Sequence, residues 1–166
     1  KRREKQKRTN IKLFRINSNH IIMRNRLFLT IIIASLIGLI IASYLAYAHY
    51  NEQSFVCVIE GTISCHDVLN GPYSELFFNI PNSLIGALGF LLFGSLGYLG
   101  LKDYRIKKIS KLLLIFSSIA MVFILYLAYL IFFVIHSFCI YCFTSWIWVI
   151  IIFICSIFLI RNKTKF

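Results

Sequence analysis

Four cysteines in two pairs are the residues of this 166-residue chain best suited to carry out chemistry. Cys57 and Cys65 are separated by seven residues, and Cys139 and Cys142 form a C-x-x-C motif with the sequence Cys-Ile-Tyr-Cys. A disulfide within C-x-x-C closes a very small loop, so it contributes little entropic stabilisation and serves better as a redox switch than as a staple. The pattern favours a relay of two redox-active pairs; structural disulfides and a zinc site of four thiolates are the alternatives.

The surroundings of the C-x-x-C motif favour redox chemistry over metal binding. Apolar and aromatic residues flank it, namely Phe138, Ile140, Tyr141 and Phe143. A zinc site is normally rigid and polar around its ligands, so we expect no metal. The motif opens a predicted helix, whose dipole and free N–H groups stabilise a thiolate at the first cysteine, Cys139.

The elements that must position these cysteines are four long segments without a charged residue. They are residues 27–47, 83–101, 112–135 and 138–160. At about 1.5 Å per residue, each segment covers the roughly 30 Å apolar core of a bilayer, and lipid forces such spans to be helical. The last two nearly touch, so the chain must reverse near residues 135–138, at His136 and Ser137, although neither Gly nor Pro marks the turn.

The overall composition agrees with a membrane protein. Hydrophobic residues make up 59% of the chain and charged residues 14%, whereas a soluble domain usually carries about 25% charged residues. These values exclude a disordered chain, a coiled coil and an ordinary cytosolic enzyme. We predict an all-α integral membrane protein with a four-transmembrane-helix bundle.

The basic residues predict the orientation of the bundle. All 18 lie in residues 1–26, in the 102–111 connection or in the tail 161–166, whereas the loop 48–82 carries four acidic residues and no Lys or Arg. By the positive-inside rule both termini are cytoplasmic, and the long loop and the turn near residue 136 are extracytoplasmic. Both cysteine pairs then face the oxidising side. Cys155 lies about 20 Å beyond Cys142 along the axis of the fourth helix and is interpreted as a small apolar core residue.

The basic arm at residues 1–26 has ten Lys or Arg and one acidic residue, Glu4. Basic runs often bind nucleic acid. Directly before a membrane span, however, an orientation signal or contact with the lipid surface is the better interpretation. We therefore expect a poorly ordered cytoplasmic arm and no nucleic-acid partner.

A dithiol at a membrane surface needs an electron acceptor or donor, and the chain contains no haem-ligand pair, flavin motif or metal-cluster motif. A lipid-soluble quinone could reach the helices from the bilayer. The aromatic content of 16% could supply walls for its ring. Asn82 follows Pro81 at the start of the second span, where its amide could hydrogen-bond a quinone carbonyl or merely cap the helix.

The chain resembles the vitamin K epoxide reductase family, in its prokaryotic single-domain form, over residues 27–160. The resemblance rests on the Cys57-x7-Cys65 spacing, on Asn82-Ser83-Leu84-Ile85-Gly86, and on Phe132-Phe133-Val134 leading into Phe138-Cys139-Ile140-Tyr141-Cys142. In this order and topology the motifs are specific together, although no single one would be.

The resemblance implies a bundle around a quinone of the ubiquinone, menaquinone or vitamin K type. The extracytoplasmic loop would cap it and would contain a short helix along the membrane surface. The loop residues apolar enough to serve as this cap are Val68, Leu69, Tyr73, Leu76 and Phe77. It further implies that Cys57 exchanges disulfides with a thioredoxin-like partner and that Cys65 passes electrons to Cys139. Cys142 would face the quinone, and Asn82 would hydrogen-bond it.

The sequence departs from the family pattern in three places. Gly71 stands where many members have Ser or Thr, and the nearby Ser74 is then the candidate for a second quinone contact. Trp146 stands where Tyr is common, and its indole N–H can donate a hydrogen bond but cannot accept one. Phe138 next to the motif completes the candidate quinone contacts. A fused thioredoxin-like domain, common in bacterial members, does not follow the fourth span, so the partner is expected to be a separate extracytoplasmic protein.

These features together predict a membrane thiol:quinone oxidoreductase that supports disulfide formation in exported proteins. Quinones have higher potentials than protein dithiols, which favours this direction. One alternative is a vitamin K quinone or epoxide reductase that uses the same cysteines. The other is a non-catalytic membrane protein with structural disulfides.

Overall fold

The first helix is much longer than its predicted span. A computed structural model describes residues 2–51, 75–77, 80–102, 105–135 and 139–161. In it α1 runs over Arg2–Asn51, so the prediction of a poorly ordered arm was wrong for the backbone. The arm contains no Gly or Pro and is rich in Lys and Arg, which are good helix formers. The part of α1 apolar enough to cross a membrane is Ile21–Tyr50.

Three further helices complete the predicted set. They are α2 (Asn82–Leu101), α3 (Ile106–Tyr129), which continues into a π-helical segment (Leu130–Ile135), and α4 (Ile140–Arg161). All four helices are long and apolar enough to span a bilayer, as predicted. The helices on either side of the predicted turn, α3 and α4, pack against each other. The predicted turn residues, His136 and Ser137, lie outside the described residues.

The described part of the long loop forms a small hairpin that leads directly into α2. Strand β1 (Glu75–Phe77) pairs antiparallel with β2 (Ile80–Pro81), with Glu75 opposite Pro81 and Phe77 opposite Ile80. The predicted short surface helix, the apolar residues 68–73 and both loop cysteines lie outside the described residues.

The helices form a bundle in which α1 packs against α2 and α4, and α3 packs against α4 and more sparsely against α2. Close contact between α1 and α2 depends on two glycines. A Cβ at Gly38 would overlap the ring of Phe90, and a Cβ at Gly100 would overlap the ring of Phe28. Small residues of this kind let membrane helices approach closely.

The outer surface of the bundle is apolar, as a lipid-facing surface must be. Ile40, Leu125 and Phe133 are 65–70% exposed. Two buried hydroxyls of the bundle bond to their own helices: Ser35 donates to the Ile32 carbonyl at 2.8 Å, and Ser156 donates to the Ile152 carbonyl at 2.8 Å. These polar groups therefore need no partner on another helix.

Candidate functional site

Cys139 occupies the N-cap position of α4. Its carbonyl accepts the first intrahelical hydrogen bond, from the N–H of Phe143 at 3.1 Å. Its sulfur accepts the N–H of Cys142 at 3.3 Å, which is the bond that a capping side chain makes to the third helical residue. Cys139 is buried, and it packs against Leu45 and Ala48 near the end of α1. The motif therefore lies where α1 ends and α4 begins.

The contacts of Cys139 favour its ionised form. The thiol of Cys142 hydrogen-bonds its sulfur and contributes most, and the N–H groups of Cys142 and Tyr141 add to this effect. Together they hold the pKa of Cys139 below the ordinary range of a thiol, although burial acts in the opposite direction. A thiolate with a lowered pKa is both a ready nucleophile and a good leaving group in disulfide exchange.

This arrangement predicts the ionisation behaviour of Cys139. In the reduced protein, the thiolate absorbance of Cys139 is the part of the ultraviolet signal that is absent in Cys139→Ser. We expect this absorbance to appear at a pH below the ordinary thiol range. In Cys142→Ala the titration should move to higher pH, because the largest stabilising contact is gone. The ionised thiol also stabilises the folded state. This contribution is fully present above the ordinary thiol pKa and is lost as the pH falls through the lowered pKa of Cys139. An unchanged titration in Cys142→Ala would contradict the assigned cause.

A cavity of about 390 Å³ lies in the bundle beside the C-x-x-C motif. This volume falls in the range of sites that bind small molecules. All four helices contribute to its wall. Along α4 the wall residues are Cys142, Ser145, Trp146 and Val149, whose spacing places them on one face of the helix.

The cavity is polar at one end and apolar at the other. The polar end lies at the end of the bundle made by residues 48–50, 81–83 and 139–142, which we call the cysteine end. Its polar wall residues are His49, Asn82, Ser83, Cys142, Ser145 and Trp146. The rest of the wall is aromatic and aliphatic, including Phe93 and Phe116. Such a cavity suits a molecule with a polar head and a long apolar tail.

The cavity reaches the lipid-facing surface. Ile119 of α3 lines it and is nevertheless 60% exposed, so the cavity is open at this residue. The contact between α2 and α3 on this side is sparse. A hydrophobic molecule dissolved in the bilayer can therefore reach the cavity sideways, without passing through water.

Two of the wall residues named from the sequence require comment. Pro81 holds the N-cap position of α2, with φ −64° and ψ 139°, so Asn82 is the first residue inside the helix and not its cap. Trp146 lines the cavity one turn beyond Cys142, with its ring 6.1 Å from that of Phe143. The structure thus brings Cys139, Cys142, Asn82 and Trp146 to one end of the bundle.

Four predicted site residues lie outside the described residues, namely Cys57, Cys65, Ser74 and Phe138. Cys155 is buried in the main core among apolar side chains such as Ile152 and Leu159, away from the cavity wall. Within the described ranges, no three His, Cys, Asp or Glu side chains come together in a way that could hold a metal ion.

Sequence reasoning missed three polar residues of the wall: His49, Ser83 and Ser145. Ser83 is the most informative, because its hydroxyl oxygen is buried and has no hydrogen-bond partner among the described residues. A buried hydroxyl without a partner costs free energy, so the site is suited to a ligand with a polar atom at this point. The spacing of Ser145 from Cys142 was the available signal, since residues three apart share a helix face.

The comparisons with known proteins agree with these features. No individual curated protein matches the chain significantly. The family model described as "Vitamin K epoxide reductase family" matches residues 29–157, which covers all four helices and most of the chain. Membership of this family indicates a multi-pass membrane protein with thiol and quinone oxidoreductase activity in general. The chain therefore belongs to the vitamin K epoxide reductase family.

Proposed function

We propose that this protein oxidises a thioredoxin-like partner and passes the electrons through two cysteine pairs to a membrane quinone. The observation that carries the proposal is the position of Cys142, which lines the cavity and whose N–H and thiol both bond the sulfur of Cys139. One thiol of the pair is thus held at the cavity and the other at the end of the bundle. A dithiol so placed can exchange electrons with different partners on its two sides.

The shape and polarity of the cavity support a quinone as the acceptor. A quinone supplies a two-electron couple, taking up two electrons and two protons on reduction. Its ring fits between apolar and aromatic wall residues, and its tail can extend toward the open side near Ile119. Asn82, Ser83 and Trp146 offer hydrogen-bond donors for its oxygens.

The lowered pKa of Cys139 supports its role as the cysteine that meets the loop pair. The Cys65 thiolate attacks the sulfur of Cys139 in the Cys139–Cys142 disulfide, and the Cys142 thiolate leaves. Cys57 then attacks Cys65, and Cys139 leaves as a thiolate. Two electrons have moved from the loop pair to the helix pair. A leaving thiol with a low pKa makes the second exchange faster.

We infer an extracytoplasmic position for all four cysteines and cytoplasmic termini from the distribution of basic residues. In that orientation the thioredoxin-like partner acts on the extracytoplasmic side, and the product of the reaction is disulfide bonds in exported proteins. The quinone remains in the bilayer and carries the electrons away.

The relay predicts a trapped intermediate in the variant Cys57→Ala. Without Cys57, no loop thiol can complete the forward exchange, and only the reverse attack by Cys142 can resolve the mixed disulfide between Cys65 and Cys139. We therefore expect the mixed disulfide to accumulate after oxidation by quinone. Proteolysis without reductant, followed by mass spectrometry, should detect the linked peptides. The double variant Cys57→Ala/Cys139→Ser should lack them, and Cys155→Ala should behave as the unmodified chain. A free Cys65 in Cys57→Ala would refute the relay and favour a stapled loop.

A further inference from the structure

Proton transfer at the cavity requires a group that gains and loses protons near neutral pH. Among the described residues that line the cavity, Cys142 and His49 carry the side chains that act as ordinary proton donors and acceptors. The other polar wall residues are hydroxyl, amide and indole groups, which hold their protons at such pH. Imidazole is the side chain whose ordinary pKa lies nearest to neutrality. His49 therefore has a chemistry that none of its neighbours in the wall offers.

The position of His49 suits proton transfer. It lies in the last turn of α1, directly after Ala48, which packs against Cys139. Its ring lines the same cavity as Cys142 and is only partly buried, so it can contact both the cavity and the exterior of the bundle. Its ring centroid is 5.6 Å from that of Tyr50, in an edge-on contact that limits its orientation.

The helix ends at this site favour separated charges. A cation is stabilised at the C-terminus of a helix, where His49 lies, and an anion at the N-terminus, where the C-x-x-C motif lies. The other described titratable side chains near the cysteine end are Tyr44 and Tyr50 on α1 and Tyr141 and Cys139 on the α4 side. The first turn of α2 adds only the uncharged Asn82 and Ser83. An imidazolium paired with a thiolate therefore meets no other basic side chain in this part of the described structure.

We propose that His49 is the proton carrier of the cavity, an inference that rests on the proposed function. Neutral His49 accepts the thiol proton of Cys142 and then donates it to a quinone oxygen. As the sulfur–sulfur bond between Cys139 and Cys142 forms, the pair loses two electrons and two protons. The quinone gains both electrons, one proton through His49 and the second from solvent, which receives the proton that Cys139 gives up when it ionises. No further reactant is needed.

The test compares His49→Ala with Tyr50→Phe, its neighbour on the same turn. In the quinone-free, reduced protein we expect alkylation of Cys142 at neutral pH to slow by about 10-fold in His49→Ala, because less of its thiol is ionised. In single-turnover reactions with an added quinone, we expect the reduction rate to fall by about 100-fold, the scale of general acid–base catalysis. Free imidazole should restore part of that rate, and Tyr50→Phe should resemble the unmodified chain.

Three results would overturn the proposal for His49. The first is alkylation and reduction rates in His49→Ala within about threefold of the unmodified protein. The second is slower reduction in His49→Ala together with a loss of quinone binding, measured by equilibrium dialysis, that is large enough to explain it. The third is slower reduction with unchanged Cys142 alkylation and no effect of imidazole. The proposed function itself fails in a different way, namely if the unmodified reduced protein does not reduce quinone at all.

Discussion

Replacing Cys142 with serine is expected to abolish quinone reduction. Cys142 is the cysteine of the pair that lines the cavity, and a serine hydroxyl can neither form a disulfide nor give up electrons to a quinone. With a dithiol substrate and a quinone present, the loss of quinone absorbance should fall to the rate without protein. The loop cysteines should still exchange with the dithiol, since that step does not involve Cys142.

The matched control is Cys155→Ala, which removes the other described thiol of α4. Cys155 is buried in the main core and does not line the cavity, so this variant should reduce quinone at close to the unmodified rate. Quinone reduction that continues unchanged in Cys142→Ser would remove Cys142 from the terminal electron step.

Filling the cavity should weaken quinone use without disturbing the thiols. Gly89 lines the cavity, and a Cβ built there meets no atom within 4 Å, so a larger side chain enters open space. In Gly89→Phe the ring occupies volume that the quinone needs. Forcing a ligand into such a filled site costs about 1–3 kcal/mol, so we expect KM for quinone to rise by about 10- to 100-fold.

The control for this substitution is Leu91→Phe on the same helix. Leu91 is 58% exposed on the outside of the bundle, so a ring at this position contacts only lipid. Its KM for quinone should stay close to that of the unmodified chain, and the titration of Cys139 should be unchanged in both variants. Equal KM values in Gly89→Phe and Leu91→Phe would indicate that quinone binds elsewhere.

The four spans could be predicted from the sequence because lipid excludes both charge and unpaired backbone groups. The helix ends could not be predicted, since helices continue past the hydrocarbon core of the bilayer wherever the sequence allows. The largest error was at α1. The predicted span, residues 27–47, covers only part of a helix that runs over Arg2–Asn51. A basic segment next to a membrane span indicates orientation, but its charge does not prevent helix formation.

The position of the C-x-x-C motif at the start of α4 was also accessible from the sequence, because the motif directly precedes an apolar run. The cavity was not. Which helix faces turn inward depends on packing, for example on the close approach that Gly38 and Gly100 allow between α1 and α2. His49 illustrates this limit, because a single histidine at a helix end has no distinctive pattern until the facing helices are in place.

The π-helical segment Leu130–Ile135 is a further feature that no residue pattern indicated. Leu130 and Ile131 are adjacent in sequence, yet both are buried and both line the cavity. In a regular α-helix successive side chains diverge by about 100°, so the wider turn helps to bring both toward the site. π-helical turns are often found at functional sites, and this one adjoins the cavity.

The most direct test of electron transfer from the helix thiols to quinone is a stoichiometry measured without air. The full chain, reduced and placed in a lipid bilayer, is mixed with an excess of quinone. Quinol is then measured spectroscopically, and Cys139–Cys142 disulfide by mass spectrometry. In a Cys57→Ser/Cys65→Ser background we expect one quinol for each Cys139–Cys142 disulfide. Disulfide formed without quinol, or quinol formed while Cys139 and Cys142 remain thiols, would contradict a cavity-bound quinone as the acceptor of their electrons.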